Sequence, residues 1–332
     1  MKSSALRGLV AALSLILILT TGLLAAEEKK DSPQPVVSTA ALKLSGYTQA
    51  RFTFDNFGPD TFQLYRARLG LEGEIFKNIR YKFLFEAART PLLLDAMIEF
   101  TLVKNGFLRV GQYKVPFSQE NLQSAASLDT INFSQIAGKL VPGRDNSSNG
   151  RDIGILANYH YATVDATVAV LNGSGINKAD VDEKKDVALR LTWAPLDFLT
   201  VGASEYLGHT IPAAAGAPIY KRDRTGLELA VNYSDWMLKG EYIWAVDNLK
   251  DASGFYILGG YFILPKKLQA VVRYDTIDQD LDLDGNRNTI FLVGLNWFFT
   301  NRTKFQINCE LVKPEGTNLD FSALLAQFQI GL

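Results

Sequence analysis

From Leu42 onward the chain repeats one pattern, short runs in which apolar and polar residues alternate. Leu42, Leu44, Gly46, Thr48, Ala50 and Phe52 share one parity, and Lys43, Ser45, Gln49 and Arg51 share the other. The next run sets Tyr65, Ala67, Leu69 and Leu71 against Arg66, Arg68, Glu72 and Glu74. The third sets Ile79, Tyr81, Phe83 and Phe85 against Arg80, Lys82 and Glu86. A period of two puts successive side chains on opposite faces of a strand, so each run predicts a strand with one apolar and one polar face. Further runs follow at Leu92–Leu102, Leu108–Gln112, Asp152–Tyr161, Val164–Leu171, Asp186–Trp193 and Leu199–Tyr206. The remainder are Arg224–Tyr233, Trp236–Trp244, Phe255–Ile263, Leu268–Asp275, Thr289–Phe298, Thr303–Leu311 and Ser322–Leu332. The fold class is all-β with about sixteen strands, an even number that returns both ends of an antiparallel barrel to one side.

A soluble sandwich also alternates, and connection length separates the two. Every second connection is tight: Phe76-Lys77-Asn78, Lys104-Asn105-Gly106, Pro195-Leu196-Asp197, Ser234-Asp235, Pro265-Lys266-Lys267 and Thr300-Asn301. The others are generally longer and rich in Gly, Asp, Asn and Ser, as at Gly173–Lys184, Gly208–Lys221, Asp278–Asn288 and Lys313–Asp320. A sandwich has no reason to sort its turns, whereas a transmembrane barrel places short turns on the periplasmic side. Trp193, Trp236 and Trp297 fall at strand ends beside short turns, where an apolar ring with a polar tip suits the membrane boundary. The expectation is a transmembrane antiparallel β-barrel over residues 41–332, with Leu324, Ala326, Phe328, Ile330 and Leu332 on the apolar face of its closing strand.

The 332 residues carry 34 Lys+Arg against 35 Asp+Glu. A net charge of -1 argues against nucleic acid, which demands a basic surface. Residues 1–26 read as an export signal: Lys2 and Arg7, the apolar run Leu9–Leu19, then small residues up to Ala26. An uncleaved anchor is the alternative, because the run approaches spanning length. Residues 27–40 (EEKKDSPQPVVSTA) read as a flexible lead-in. The destination is the bacterial outer membrane. Cys309 is the only cysteine, so an intrachain disulfide and multi-thiolate zinc are excluded. Cys309 shares the apolar parity of Phe305, Ile307 and Leu311.

One stretch breaks the alternation. Between the strand at Leu108–Gln112 and the strand at Asp152 lie small, polar residues with a helix-compatible piece at Ser118–Ala126. Structureless stretches beyond about 12–15 residues are usually functional. This one suits a loop packed against a pore wall, with Arg151 and Asp152 anchoring its return. About sixteen strands leave an aqueous channel unless it is plugged, and parity assigns the wall. Arg51, Arg66, Arg68, Arg80, Lys82 and Arg109 come close together on the first strands. Guanidinium and ammonium groups draw anions into pores. Two readings stand: a basic wall that attracts small anions, or a balanced wall in which Glu72, Glu74 and Glu86 pair with the interleaved Arg. Lys139 and Arg144 in the long loop, against Glu120 and Asp129, favour narrowing over anion binding.

Other motifs lead nowhere firm. Asp280-x-Asp282-x-Asp284-Gly285 opens like a calcium loop, but its twelfth position is Phe291 instead of the needed Glu. Gly173-Ser174-Gly175 is a turn with no Lys-Ser/Thr after it, so no nucleotide or other cofactor is expected. Only His160 and His209 are available for a catalytic set, and neither has acidic or Ser company at a favoured spacing.

GQYKVPFSQENL (Gly111–Leu122) followed by GRDIGI (Gly150–Ile155) resembles the phosphate-selective porin O and P family. So do GYTQARFTFD, RYD at Arg273–Asp275 and GLNWFFTNRTKFQINCE at Gly294–Glu310. The resemblance implies a homotrimeric outer-membrane porin of sixteen strands whose third outer loop folds into the lumen. It also implies that wall Arg and Lys residues conduct anions, and Arg51, Arg66, Arg68 and Arg109 occupy plausible positions for that. The expected function is a passive, water-filled channel, with no enzyme activity, for small hydrophilic solutes and a preference for anions such as phosphate. The alternative is a non-transport barrel, a surface adhesin or hydrolase.

Overall fold

The computed structural model describes residues 42–182, 184–210 and 218–332; the expected signal and lead-in, residues 1–40, lie outside them. The first strands are β1 (Lys43–Asp55), β2 (Thr61–Phe76), β3 (Ile79–Glu86), β4 (Leu93–Val103) and β5 (Gly106–Lys114). After a long connection come β6 (Arg151–Tyr161), β7 (Val164–Leu171), β8 (Asp186–Leu196), β9 (Leu199–Leu207) and β10 (Arg222–Tyr233). The set ends with β11 (Trp236–Asp247), β12 (Lys250–Leu264), β13 (Leu268–Asp278), β14 (Arg287–Phe298), β15 (Lys304–Pro314) and β16 (Asp320–Gly331). Each strand pairs antiparallel with the next, and β1 pairs with β16 from Tyr47–Gly331 to Asp55–Ala323, so sixteen strands close into a barrel. Closure leaves no row of unpaired backbone groups, which hydrocarbon does not tolerate.

Burial is inverted relative to a water-soluble core. On β15 the buried residues are Lys304, Gln306, Asn308 and Glu310, while Phe305, Ile307, Cys309 and Leu311 face outward. Asn296 and Asp275 are fully buried, yet Leu191 and Leu227 are 53% and 56% exposed. Register stacks the outward residues into layers across β13–β15. Tyr274, Phe291 and Leu311 lie nearest the long connections, then Val272, Val293 and Cys309, then Ala270, Leu295 and Ile307, and finally Leu268, Trp297 and Phe305. Aromatic rings thus bound an aliphatic band at both ends, the arrangement that fits a bilayer.

The short connections are residues 77–78, 104–105, 162–163, 197–198, 234–235, 265–267 and 299–303. Asn78, Asn105, Ala162, Ser234 and Lys266 adopt positive φ there, the backbone twist that tight hairpins require. On the opposite side the connections are 56–60, 87–92, 115–150, 172–185, 208–221, 248–249, 279–286 and 315–319.

Two departures from the alternation pattern change how the strands are read. The expected loop between β11 and β12 is paired strand up to Asp247–Lys250, closed by Asn248-Leu249 with Asn248 at φ 60°. The small residues Ala245 and Ala252 face each other there and are buried, so size hid the alternation. On β2 a bulge intervenes: Gln49 pairs with Arg66, but Ala50 pairs with Leu64, leaving Tyr65 as the extra residue. An extra residue turns both bulge side chains to one face, so Tyr65 joins Arg66 inside instead of Ala67 and Leu69 outside.

Placing a cation on the outward face tests this assignment. Val293→Arg, in the middle layer, is expected to cost about 2–4 kcal/mol in reversible unfolding from lipid, whereas the inward Gln306→Arg is expected to be better tolerated.

Candidate functional site: the inner wall and the 115–150 segment

The segment 115–150 is closed at its base by the Val115 N–H donating to the Gly150 carbonyl at 2.9 Å. Two helical turns order it, Gln119–Leu122 and Gln135–Lys139, with Ser118 and Ser134 at their N-caps. Each serine oxygen accepts from the backbone three residues on, Asn121 and Ala137, which satisfies an otherwise orphaned donor. Glu120 ties the two turns together by accepting from the Ser134 N–H and hydroxyl.

The segment's partners are inward-parity groups of strands far from β5 and β6. Glu241 on β11 accepts from the Glu120 N–H at 2.8 Å, and Asp275 on β13 accepts from the Gln135 N–H at 2.8 Å. Asn308 on β15 accepts from the Ile131 N–H at 2.7 Å. Lys239 meets Asp129 at 2.7 Å, and Lys304 donates to the Leu128 carbonyl at 2.6 Å. Arg222 and Arg224 on β10 both hold Asp145, at 2.5 and 3.1 Å. Apolar residues reinforce the polar ties: Val115, Phe117, Ile136, Leu140 and Val141 share one buried cluster with Leu171, Ile243, Tyr256, Ile277 and Leu292. Two inward glycines make room for it. A Cβ at Gly226 would lie 2.9 Å from the Phe117 ring, and one at Gly254 would lie 2.6 Å from Ile136. Burial of these side chains contributes roughly 1.5–3 kcal/mol each, more than a polar tie alone.

The wall formed by β1–β5 is different. Arg66, Arg68, Arg144 and Arg151 line one cavity of about 120 Å³ together with Tyr65, Arg89, Lys114 and Phe133. Arg80, Lys82 and Arg109 line a second of about 270 Å³, which also holds Glu72 and Glu99. A space of about 500 Å³ shares residues with both and extends to Arg302 in a short turn. Arg68 is paired with Glu86 at 2.9 Å, Arg109 with Glu99 at 2.7 Å, and Arg151 with Asp95 at 2.6 Å. Arg80 and Lys82 make looser pairs, 3.9 Å to Glu99 and 3.8 Å to Asp95. Arg51 is held by neutral groups, the Gln327 amide oxygen at 2.9 Å and the Ile131 carbonyl at 3.2 Å. Arg66 donates to the Gln49 amide oxygen at 2.7 Å. Arg144 donates to Asn121 at 2.8 Å and stacks 3.7 Å from the Phe133 ring. Burial first, then the repulsion of Arg151, lowers the Arg144 pKa to about 9, which still leaves it cationic at neutral pH. Lys139 is exposed and lines none of these cavities.

Among the described residues none of Arg51, Arg66, Arg89, Lys114 and Arg144 has a carboxylate within 4.0 Å. Two donors that face the 120 Å³ cavity residues, Arg66 Nε and Arg151 Nη2, are buried without a hydrogen-bond partner. Buried donors are nearly always satisfied, so an orphan pair calls for an explanation. On the other strands arginines do have carboxylates: Arg190 pairs with Glu228, and Arg273 lies 3.5 Å from Asp275.

Parity missed three members of this cluster. Arg89 lies in the 87–92 connection, where alternation carries no information. Lys114 ends β5 just beyond Gly111, whose φ of 122° disturbs the alternation, and it donates to the Leu122 and Gln123 carbonyls. Tyr65 was displaced by the bulge. For the Asp280–Asp284 stretch, no group of three or more His, Cys, Asp or Glu among the described residues is arranged to hold a metal ion.

The family model for phosphate-selective porin O and P matches residues 44–222 and 211–329. A search of curated protein sequences found no match. Among solved structures, OmpF of Salmonella typhi in complex with daunomycin aligns with a TM-score of 0.67 and 11% identity over 88% of this chain and 98% of that one. The outer-membrane channel DcaP of Acinetobacter baumannii gives 0.65 and 13%, over 90% and 100%. The trimer form of OmpT, an outer-membrane protein of Vibrio cholerae, gives 0.64 and 11%, over 88% and 99%. At such identities the likeness is one of fold. With the family match running through the described barrel, the chain belongs to the phosphate-selective porin O and P family and is an outer-membrane channel protein.

Proposed function

We propose that the barrel conducts small hydrophilic solutes passively, with a preference for anions such as phosphate, and that the 115–150 segment lies across its interior and sets the constriction. The observation that carries the anion preference is the group of cations without carboxylate partners, with orphaned guanidinium donors, around the 120 Å³ cavity. A guanidinium offers a planar fork of donors that matches an oxyanion. Salt-bridged Arg68, Arg109 and Arg151 continue the track, and paired sites of this kind bind weakly enough to release. Opposite them, Asp129 is paired with Lys239 and Asp145 with Arg222 and Arg224, while Glu120 is held by Ser134 within the segment, so their charge is spent on holding the segment. The reading needs no chemical step, and the protein is no enzyme in it. Residues 1–26 serve as an export signal, and three copies assemble in the outer membrane, as the trimer form of the Vibrio cholerae relative illustrates.

Reversal potentials in a potassium chloride gradient across a planar bilayer test the anion preference; clear cation selectivity of the unaltered channel overturns it. Replacing Arg66, Arg89 or Arg144 by Ala is expected to lower anion permeability about threefold each, from ~0.7 kcal/mol for one charge some 6 Å away under water-like screening. The constriction has its own test. Asp145→Asn leaves the buried Arg222 and Arg224 without their shared partner, and breaking such a pair costs about 3–5 kcal/mol. Faster hydrogen exchange across 115–150 and larger, noisier single-channel currents are expected; unchanged currents with faster exchange argue against the segment as the constriction.

A further inference from the structure

Tyr65 is an aromatic residue that alternation places among the lipid-facing Ala67 and Leu69 and the β2 bulge turns inside. There its ring meets guanidiniums from three different elements. Arg51 of β1 lies 3.3 Å from the ring centroid, Arg89 of the 87–92 connection 4.3 Å, and Arg66 of β2 itself 4.5 Å. Three like charges gathered on one ring repel one another, so something must offset the repulsion. Elsewhere on this wall a carboxylate does so: Glu86 for Arg68, Glu99 for Arg109 and Asp95 for Arg151. A carboxylate fixes a guanidinium and also cancels its charge. An aromatic face attracts the cation through its quadrupole and carries no net charge. The ring therefore positions its three arginines and leaves their charge available.

We propose that Tyr65 is the specificity-determining residue of the channel: its ring holds Arg51, Arg66 and Arg89 together as an uncancelled cationic platform beside the constriction. The assignment rests on the anion-preferring reading given above and adds the residue that produces it. Arg68 and Arg109 are also backed by rings, Tyr47 at 5.9 Å and Phe107 at 4.9 Å, but each has its carboxylate as well. Arg144 on the Phe133 ring also has no carboxylate, but it is a single cation; around Tyr65 three arginines share one ring without an acid.

Three variants of the full-length protein, reconstituted in planar bilayers, separate this role from simple packing. Tyr65→Phe keeps the ring, Tyr65→Leu removes it, and Tyr65→Glu substitutes the carboxylate found beside the other arginines. The readouts are the chloride-to-potassium permeability ratio and the single-channel conductance. Tyr65→Phe is expected to retain the unaltered ratio. Tyr65→Leu is expected to lower it roughly two- to five-fold, the factor given by about 0.5–1 kcal/mol of lost cation–π positioning. Tyr65→Glu is expected to lower it at least as far, because it orders the arginines but cancels one charge. An unchanged ratio in Tyr65→Leu, or a loss in Tyr65→Phe as large as in Tyr65→Leu, overturns the assignment. Should Tyr65→Leu form no channels, equal ratios in Tyr65→Phe and Tyr65→Glu overturn it instead. An unaltered channel without anion selectivity overturns the underlying reading, and this assignment with it. Anion selectivity that survives in all three variants leaves that reading standing and removes Tyr65 alone.

Discussion

A polypeptide in hydrocarbon must pair all its backbone donors and acceptors within itself, and everything else in this protein follows from that demand. Strands meet it only by closing, so β1 must find β16, and the pairing of Tyr47 with Gly331 through Asp55 with Ala323 does so. Once the barrel is closed, each strand has an inside and an outside. The outside is fixed by lipid, and the alternation therefore forces the polar half of each strand inward. The consequence is a wall of buried glutamines, asparagines and arginines around a space, with Val, Leu and aromatic rings outside.

How that interior is used depends on where its charges are spent. On β10–β15 they are consumed locally. Asp145 is shared by two arginines, Lys239 holds Asp129, and Glu241 and Asp275 accept from the backbone of the 115–150 segment. The apolar cluster around Phe117 and Ile136 completes that side. On β1–β5 several cations are held by amides and rings in place of acids. An ion pair at this depth would cancel the field that a permeating anion feels; a glutamine or a tyrosine positions a guanidinium at no such cost. The near-zero net charge of the chain thus conceals a difference between its two inner walls in how their cations are partnered.

The alternation made the strand number and the inward–outward assignment legible, because lipid and water impose opposite demands at every second residue. Arg51, Arg66, Arg68, Arg80, Lys82 and Arg109 could be gathered by parity because they sit in regular strands. What was not legible depended on departures from regularity. Tyr65 was hidden by one extra residue in β2, and Lys114 by the positive φ of Gly111. Arg89 was hidden by a connection that has no parity. The pairing of acids with bases was also unreadable: Glu72 and Glu74 interleave with Arg66 and Arg68, yet it is Glu86, on the neighbouring strand, that meets Arg68. Cross-strand register decides such pairs, and a sequence read one strand at a time does not contain it.

The central claim is that the passage runs along β1–β5 and not along the wall beneath the segment. Cysteine accessibility in conducting channels tests it most directly, in a Cys309→Ser background. With a negatively charged thiol reagent, Lys82→Cys on the cation-bearing side is expected to react and reduce the current. Ala252→Cys, buried in the apolar cluster on the opposite wall, is expected to remain unmodified. Reaction at Ala252→Cys with protection at Lys82→Cys would place the passage on the other side and contradict the account.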